Sequence, residues 1–162
     1  MMTEEEKFIV DLEGYLIIKN VLTTDEVKEL NRLIDESDRI GPPSTWGQPF
    51  QNLIDHSNIM PYLLEMIGPY VRIDHDYAIF MSGKEKRGGL HGGEDGGRPG
   101  GHEGDHWYKY RDGVIRNGLC VMTFNLAPAR PGDGGFACIP GSHKSNFTTS
   151  IPQEVRSFER RT

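Results

Sequence analysis

Cysteine, long apolar runs and positive charge are all scarce in this chain of 162 residues. Two cysteines, Cys120 and Cys138, are too few for a disulfide framework or a zinc cluster. No stretch of about 18 apolar residues occurs, so the sequence predicts no membrane-spanning helix. A net charge of −6 argues against nucleic acid or an anionic membrane as the partner. Because Met1 to Glu6 is acidic, unlike the start of a signal peptide, we expect a cytoplasmic protein.

The composition is that of one globular domain. Hydrophobic residues make up 36% of the chain and charged residues 26%. A chain of this size can bury roughly 68–70% of its unfolded surface, so a real core is expected. No internal repeat and no shift in composition marks a second domain. We therefore interpret residues 1–162 as a single domain.

Three helices are predicted in the first half of the chain. The first is expected to end at Gly14 in the left-handed conformation. The second, Leu22 to Ser37, has the clearest helical spacing, and a third is predicted over Asn58 to Met66. The first two share a capping box, a threonine followed three residues later by a glutamate: Thr3 and Glu6, Thr23 and Glu26.

Strands are predicted mainly after Tyr70. Val71 to Asp76 alternates as a half-buried strand does, and Leu119 to Leu126 is apolar on both faces, as in an inner strand. Phe136 to Ile139 is predicted to be a returning strand, and Tyr15 to Lys19 a short one. Helices followed by short strands with long glycine-rich connections predict an α+β fold. The expected architecture is a β-sandwich or barrel of jelly-roll type.

Three of the six histidines and several acidic residues crowd into residues 91–106, and ten of the twenty glycines fall between Gly83 and Gly104. Imidazoles and carboxylates are the ligands of non-haem iron, manganese and zinc. An exposed polar loop is the alternative interpretation, and composition alone favours it. The histidines and acidic residues crowded there are His91, Glu94, Asp95, His102, Glu103, Asp105 and His106.

His91 is the strongest single candidate for a metal ligand. A facial triad needs two histidines and one carboxylate on one side of the metal. A His-x-Asp or His-x-Glu pair on a strand supplies two of these, since residues i and i+2 face the same way. Here the second position after His91 is Gly93, so that pair is absent.

The order of these parts resembles the phytanoyl-CoA dioxygenase family over nearly the whole chain. Gly14 to Leu22 followed by a capped helix is similar to the family's opening, and Gly68-Pro69 and Leu90-His91 follow in its order. The most specific part is Asp133 to Lys144, which reads Asp-Gly-Gly-Phe-Ala-Cys-Ile-Pro-Gly-Ser-His-Lys. The resemblance implies helices packed on a double-stranded β-helix of jelly-roll (cupin-like) type. It also implies Fe(II), 2-oxoglutarate as co-substrate, and O2-dependent hydroxylation of a small molecule.

In this resemblance His91 matches the family's first iron-ligand histidine. The family's carboxylate position falls on Gly93, which leaves Glu94 as the nearest candidate for that ligand, with Asp95 or Asp105 behind it. His143 matches the family's structural Pro-Gly-Ser-His motif. We therefore expect His143 to hold a turn rather than to bind metal.

Other residues have candidate roles toward the co-substrate and the substrate. Thr123 and Asn125, on the predicted inner strand, could contact 2-oxoglutarate, with ordinary strand polar residues as the alternative. Tyr77 and Trp107 could line a substrate pocket, although packing is the simpler explanation for each.

Part of the family's pattern finds no match in the sequence. Its second iron histidine and its 2-oxoglutarate-binding arginine come in later strands, and no corresponding segment occurs before Thr162. We therefore expect a single domain of this family, truncated before both residues, with its β-helix incomplete at the C-terminus.

Two further functions stay open on the sequence. Iron halogenases of the same superfamily carry a small residue in place of the carboxylate and take halide there, a pattern that Gly93 satisfies. The other alternative is a non-catalytic jelly-roll module that binds a small ligand without metal. The oligomeric state cannot be predicted from these residues.

Overall fold

The computed structural model describes residues 1–81, 107–130, 133 and 135–144. They form a mixed structure of helices and one two-stranded sheet. None of the helices in this part of the chain has the length and apolarity needed to cross a membrane. The elements are helices α1 (Glu4–Glu13), α2 (Thr24–Glu36), α3 (Gln48–Gln51) and α4 (Met60–Met66), strands β1 (Tyr108–Arg111) and β2 (Val114–Asn117), and 3-10 turns at Pro43–Thr45 and Ser142–Lys144.

Helices α1 and α2 begin at the predicted capping boxes. The Thr3 hydroxyl accepts from the Glu6 backbone N–H, and the Glu6 carboxylate accepts from the Thr3 N–H. Thr23 and Glu26 repeat this arrangement at α2. Both glutamates have a lowered pKa, first because their carboxylates accept these backbone hydrogen bonds. Gly14 ends α1 in the left-handed region with φ 82°, as predicted.

The region between α2 and α4 is more ordered than the sequence indicates. The polar stretch over residues 44–52 predicts a packed loop, whereas a 3-10 turn and α3 lie there and Phe50 is buried. Helix α4 begins at Met60, two residues later than predicted. Pro61 occupies its first turn, where a missing N–H costs no helical hydrogen bond.

The only strand pairing among the described residues is the β1–β2 hairpin, which the sequence patterns considered above did not predict. The strands run antiparallel with Arg111 opposite Val114. Asp112 and Gly113 form the two-residue turn, with φ of 54° and 78°. Such a turn with both residues left-handed matches the right-handed twist of a hairpin, and Asp-Gly is one of its preferred sequences.

The four predicted strands carry no β-ladder to any other described residue. Tyr15 to Lys19 is not a strand, and neither is Phe136 to Ile139. Val71 to Asp76 is not half-buried as expected, since Ile73 is 49% exposed. Leu119 to Leu126 has only one covered face, because Val121 is 70% exposed. Apolar alternation predicts which residues could face a core, but a strand also needs a partner for its backbone groups.

The buried core of the described residues is small and is formed mainly by side chains from the helices and the hairpin. Leu30 on α2 is its most buried side chain, 1% exposed. Strand β2 packs against α4 through Ile115 and its neighbours. The N-terminus is tied to α4 as well, because the Met2 N–H donates to Glu65 at 2.7 Å. The buried apolar residues are Met2, Val10, Leu30, Phe50, Ile59 and Ile115.

Candidate functional site

The predicted metal ligands His91 and Glu94 lie outside the described residues, as do Gly93, Asp95 and Asp105. Within the described part of the chain, no three His, Cys, Asp or Glu side chains come together as a metal site.

Thr123 and Asn125 lie on one exposed side of the 119–127 segment. Between them, Phe124 is half-buried, and its ring centroid lies 6.3 Å from that of His56. The segment is tethered to α2, because the Asn31 side-chain amide donates to the Leu126 carbonyl at 2.9 Å. The hydroxyl of Thr123 and the amide of Asn125 therefore lie on an open face, where they could hydrogen-bond a ligand.

Both cysteines are free thiols. Burial raises the pKa of Cys120 to about 11 and also raises the pKa of Cys138. Both side chains are therefore protonated at neutral pH, which does not suit a nucleophile.

Four polar residues from distant parts of the chain meet at the end of α1. Tyr108 on β1 donates its phenol hydrogen to Asp11 Oδ1. The ammonium of Lys144 lies 3.2 Å from Asp11 Oδ2. The His143 ring packs edge-on to the Tyr108 ring, with centroids 4.7 Å apart and an interplanar angle of 81°. We call Asp11, Tyr108, His143 and Lys144 the Asp11 cluster.

The electrostatics of the Asp11 cluster favour a fixed set of protonation states. The hydrogen bond from Tyr108, followed by that from Lys144, lowers the pKa of Asp11. Burial and the Asp11 contact raise the pKa of Tyr108, so its phenol stays protonated. Burial and the charge of Lys144 lower the pKa of His143, although Asp11 opposes this shift. A charged Asp11–Lys144 pair with neutral Tyr108 and His143 suits a structural contact better than an acid or base.

Two glycines allow the Ser142–Lys144 turn to approach α1 closely. The Gly141 N–H donates to the Glu13 carbonyl at 2.8 Å, and a Cβ on Gly141 would lie 3.3 Å from the Leu12 carbonyl oxygen. His143 lies directly against Gly14. Both ring nitrogens of His143 are buried, and neither has a hydrogen-bond partner of good geometry among the described residues. This packing fits the structural role predicted for His143.

A cleft of about 310 Å³ lies between the 39–46 region and residues 76–80. The Trp46 and Phe80 rings are stacked, with centroids 6.4 Å apart and an interplanar angle of 25°. The guanidinium of Arg39 lies 4.4 Å from the centre of the Phe80 ring. We call this the Trp46 cleft. It is lined by Arg39, Gly41, Pro42, Trp46, Asp76, Tyr77, Ala78 and Phe80.

Hydrogen bonds hold the two sides of the Trp46 cleft together. The Ser44 backbone N–H donates to Asp76 Oδ2 at 2.7 Å, and the Ser44 hydroxyl donates to Asp76 Oδ1 at 3.2 Å. The Trp46 indole N–H donates to the Ile40 carbonyl at 2.9 Å. Of the residues predicted to line a pocket, Tyr77 lies in this cleft. Trp107 is 41% exposed and does not line the cleft.

Sequence reasoning missed the rest of this cleft. Its aromatic residues are separated along the chain, and no spacing rule joins Trp46 to Phe80. The one signal in the sequence was the pair Gly41-Pro42, which predicts a turn that can carry Arg39 back over the aromatic rings.

No known protein family, curated protein or solved structure matches this chain. The resemblance to the phytanoyl-CoA dioxygenase family therefore stays a prediction from its motifs.

Proposed function

We propose that this chain is a cytoplasmic, non-haem Fe(II)/2-oxoglutarate-dependent dioxygenase that hydroxylates a small molecule on a double-stranded β-helix scaffold. The proposal starts from the sequence, in which Leu90-His91 precedes the Asp133 to Lys144 motif in the family's order. Because the chain lacks a match to the later histidine and arginine, it is proposed to have little or no activity alone.

The packing of His143 is the observation that carries the proposal. The resemblance assigns the Pro-Gly-Ser-His motif a structural role, and His143 is packed between Gly14 and Tyr108. Glycines at positions 14 and 141 are what allow the motif to dock on α1. This packing agrees with the role that the resemblance implies for the motif, and the assignment of the metal to His91 rests on the same resemblance.

The open face of Thr123 and Asn125 gives further support. A hydroxyl and an amide can donate hydrogen bonds to a carboxylate without adding charge. We propose that these two side chains contact 2-oxoglutarate. The tether from Asn31 to Leu126 holds the segment that carries these two residues against α2.

His91 is the proposed metal ligand, with Glu94 as the nearest candidate for the carboxylate. When bound, Fe(II) would supply the activation of O2. One matched histidine and one displaced carboxylate do not make a complete triad, so we propose weak Fe(II) binding.

Anaerobic calorimetric titration with Fe(II), with succinate formation from 2-oxoglutarate as a second measurement, tests this function. We expect affinity weaker than about 1 μM, which corresponds to about −8.2 kcal/mol. The His91→Ala variant should lose binding and any turnover. His102→Ala is the matched control from the same glycine-rich segment and should retain both.

Three results would contradict the proposal. Equal Fe(II) binding by the wild type and the His91→Ala variant would remove the assigned ligand. Chlorinated product formed only with chloride would favour the halogenase-like alternative with Gly93 at the vacant position. A folded chain that shows no Fe(II) binding would favour the non-catalytic ligand-binding module.

A further inference from the structure

We propose that the Trp46 cleft binds a small aromatic carboxylate. This inference is independent of the proposed dioxygenase function, because it needs neither iron nor 2-oxoglutarate. Three features carry it: a flat aromatic wall, one cation without a carboxylate partner among the described residues, and an acidic residue whose two oxygens each accept a hydrogen bond from Ser44.

The aromatic wall is formed by Trp46 and Phe80. Their rings are nearly parallel, at 25° to each other. Phe50, which is buried, packs edge-on to Trp46 with ring centroids 5.4 Å apart, and the indole N–H is held by the Ile40 carbonyl. These contacts fix the ring of Trp46 before any ligand arrives. A planar ring could therefore stack in the cleft at little cost in side-chain ordering.

Arg39 supplies the positive charge at this wall. Its backbone has φ 59°, a conformation that is uncommon for a residue with a side chain, and its guanidinium lies over the Phe80 ring. Arg39 forms no ion pair with any carboxylate in the described part of the chain. Its planar guanidinium can donate two parallel hydrogen bonds to a carboxylate, so a free anion is the group that it suits.

The carboxylate of Asp76 is engaged by Ser44 on the other side of the cleft. Both of its oxygens accept hydrogen bonds from Ser44, one from the backbone N–H and one from the hydroxyl. The acidic group is thus committed to holding the two sides of the cleft together. A cationic ligand would meet Arg39 already lying over Phe80, which makes an aromatic cage for a cation the less favoured alternative.

The size of the cleft limits the ligand. A volume of about 310 Å³ lies at the lower end of the range for small-molecule sites, roughly 300–1,000 Å³. This space suits one aromatic ring with a short acidic group. Benzoate is therefore the probe of choice.

Quenching of Trp46 fluorescence by benzoate tests the proposal. The Trp107→Phe variant serves as the background, since the chain has two tryptophans. We expect saturable quenching by benzoate and at least tenfold weaker binding of benzamide, which has the same shape without the charge. The Arg39→Gln variant should weaken benzoate binding by tenfold or more and should leave benzamide binding unchanged.

Arg72→Gln is the matched control. Arg72 is an exposed arginine that pairs with Asp74 and does not line the cleft, so this variant should bind benzoate as the background does. Melting temperature checks that both arginine variants remain folded. Equal binding of benzoate and benzamide, equal losses in the two arginine variants, or no saturable quenching would overturn the proposal. Tighter binding of benzyltrimethylammonium than of benzoate would also overturn it, in favour of a cation site.

Discussion

The imidazole of His143 occupies the place where a side chain on Gly14 would begin. A Cβ built on Gly14 would lie 2.3 Å from His143 Nδ1. Gly14 also ends α1 with φ 82°, a conformation that residues with a Cβ rarely adopt. Two independent constraints, one of packing and one of backbone, therefore require glycine at this position. The contact joins the end of the first helix to the Pro140 to Lys144 motif.

The Gly14→Ala variant should be destabilised by about 2–4 kcal/mol. The left-handed backbone accounts for roughly 1–2 kcal/mol, and displacement of the packed His143 ring for about 1–2 kcal/mol more, within the range for overpacking. Gly113→Ala is the matched control, because Gly113 has φ 78° but no atom within 4 Å of the position that a Cβ would take. Urea unfolding of both variants measures the difference. Equal losses would mean that the contact with His143 contributes nothing.

The sequence predicted only half of this relationship. Gly14 follows an amphipathic helix directly, and that local position is sufficient to predict a left-handed helix end. The contact with His143 depends on how distant segments pack, and neither helical spacing nor strand alternation carries that information. The same applies to the Trp46 cleft, whose two walls come from separate parts of the chain.

Stability should fall as the pH is lowered from about 7 through the pKa of His143. Burial lowers that pKa below its ordinary value of 6.5, so the unfolded chain binds more protons within this window. The free energy of unfolding decreases there and levels off below the folded-state pKa. Asp11 affects the pH dependence of stability only at more acidic pH, because its pKa is lowered from the ordinary value of 3.8. Urea midpoints measured between about pH 5 and pH 8 follow the His143 effect. These limits lie about 1.5 pH units below and above the ordinary histidine pKa of about 6.5.

His143→Leu should flatten this pH dependence, since leucine fills the site with an apolar side chain and the titrating imidazole is removed. His75→Leu is the control, because the His75 side chain is 65% exposed and bonded to Asp74. If the pH dependence of stability persists in His143→Leu and disappears in His75→Leu, it arises from His75 and the prediction for His143 is wrong.

The hydrogen bond from Tyr108 to Asp11 should have a coupling energy of about 1.5–3 kcal/mol, as expected for a bond to a charged acceptor that is partly buried. A double-mutant cycle with Tyr108→Phe and Asp11→Asn measures it. Tyr110→Phe is the control on the same strand, since Tyr110 is 63% exposed. A coupling energy near zero would show that the Asp11 cluster does not hold the hairpin to α1.

The β1–β2 hairpin is an element that a local sequence signal is sufficient to predict. Asp112-Gly113 lies between two short runs that contain Tyr110 and Ile115, and an Asp-Gly pair between such runs is a strong hairpin signal. The longer predicted strands failed for a different reason. The apolar pattern in Val71 to Asp76 and in Leu119 to Leu126 indicates which side chains would share one face of a strand. Strand pairing also depends on the partner strand, which no local pattern identifies.

Loss of the Asn31 side chain should free the 119–127 segment without unfolding the chain. Its amide donates to the Val27 and Leu126 carbonyls, both at 2.9 Å, so Asn31→Ala removes the bond that tethers this segment to α2. We expect a stability loss of about 1 kcal/mol. We also expect faster chymotrypsin cleavage after Phe124, relative to cleavage after Tyr110 in the hairpin, because a protease needs locally opened chain.

Asn52→Ala is the matched control for this tether. Asn52 makes its side-chain hydrogen bond to Gln48, four residues away on an exposed surface, so its loss should leave cleavage after Phe124 unchanged. Because Thr123 and Asn125 lie on the tethered segment, Asn31→Ala should also weaken 2-oxoglutarate binding if these residues contact it as proposed. Faster cleavage with unchanged 2-oxoglutarate affinity would keep the tether but remove these two residues from the co-substrate site. Equal acceleration after Phe124 and Tyr110 would instead show that Asn31 stabilises the whole fold rather than this segment.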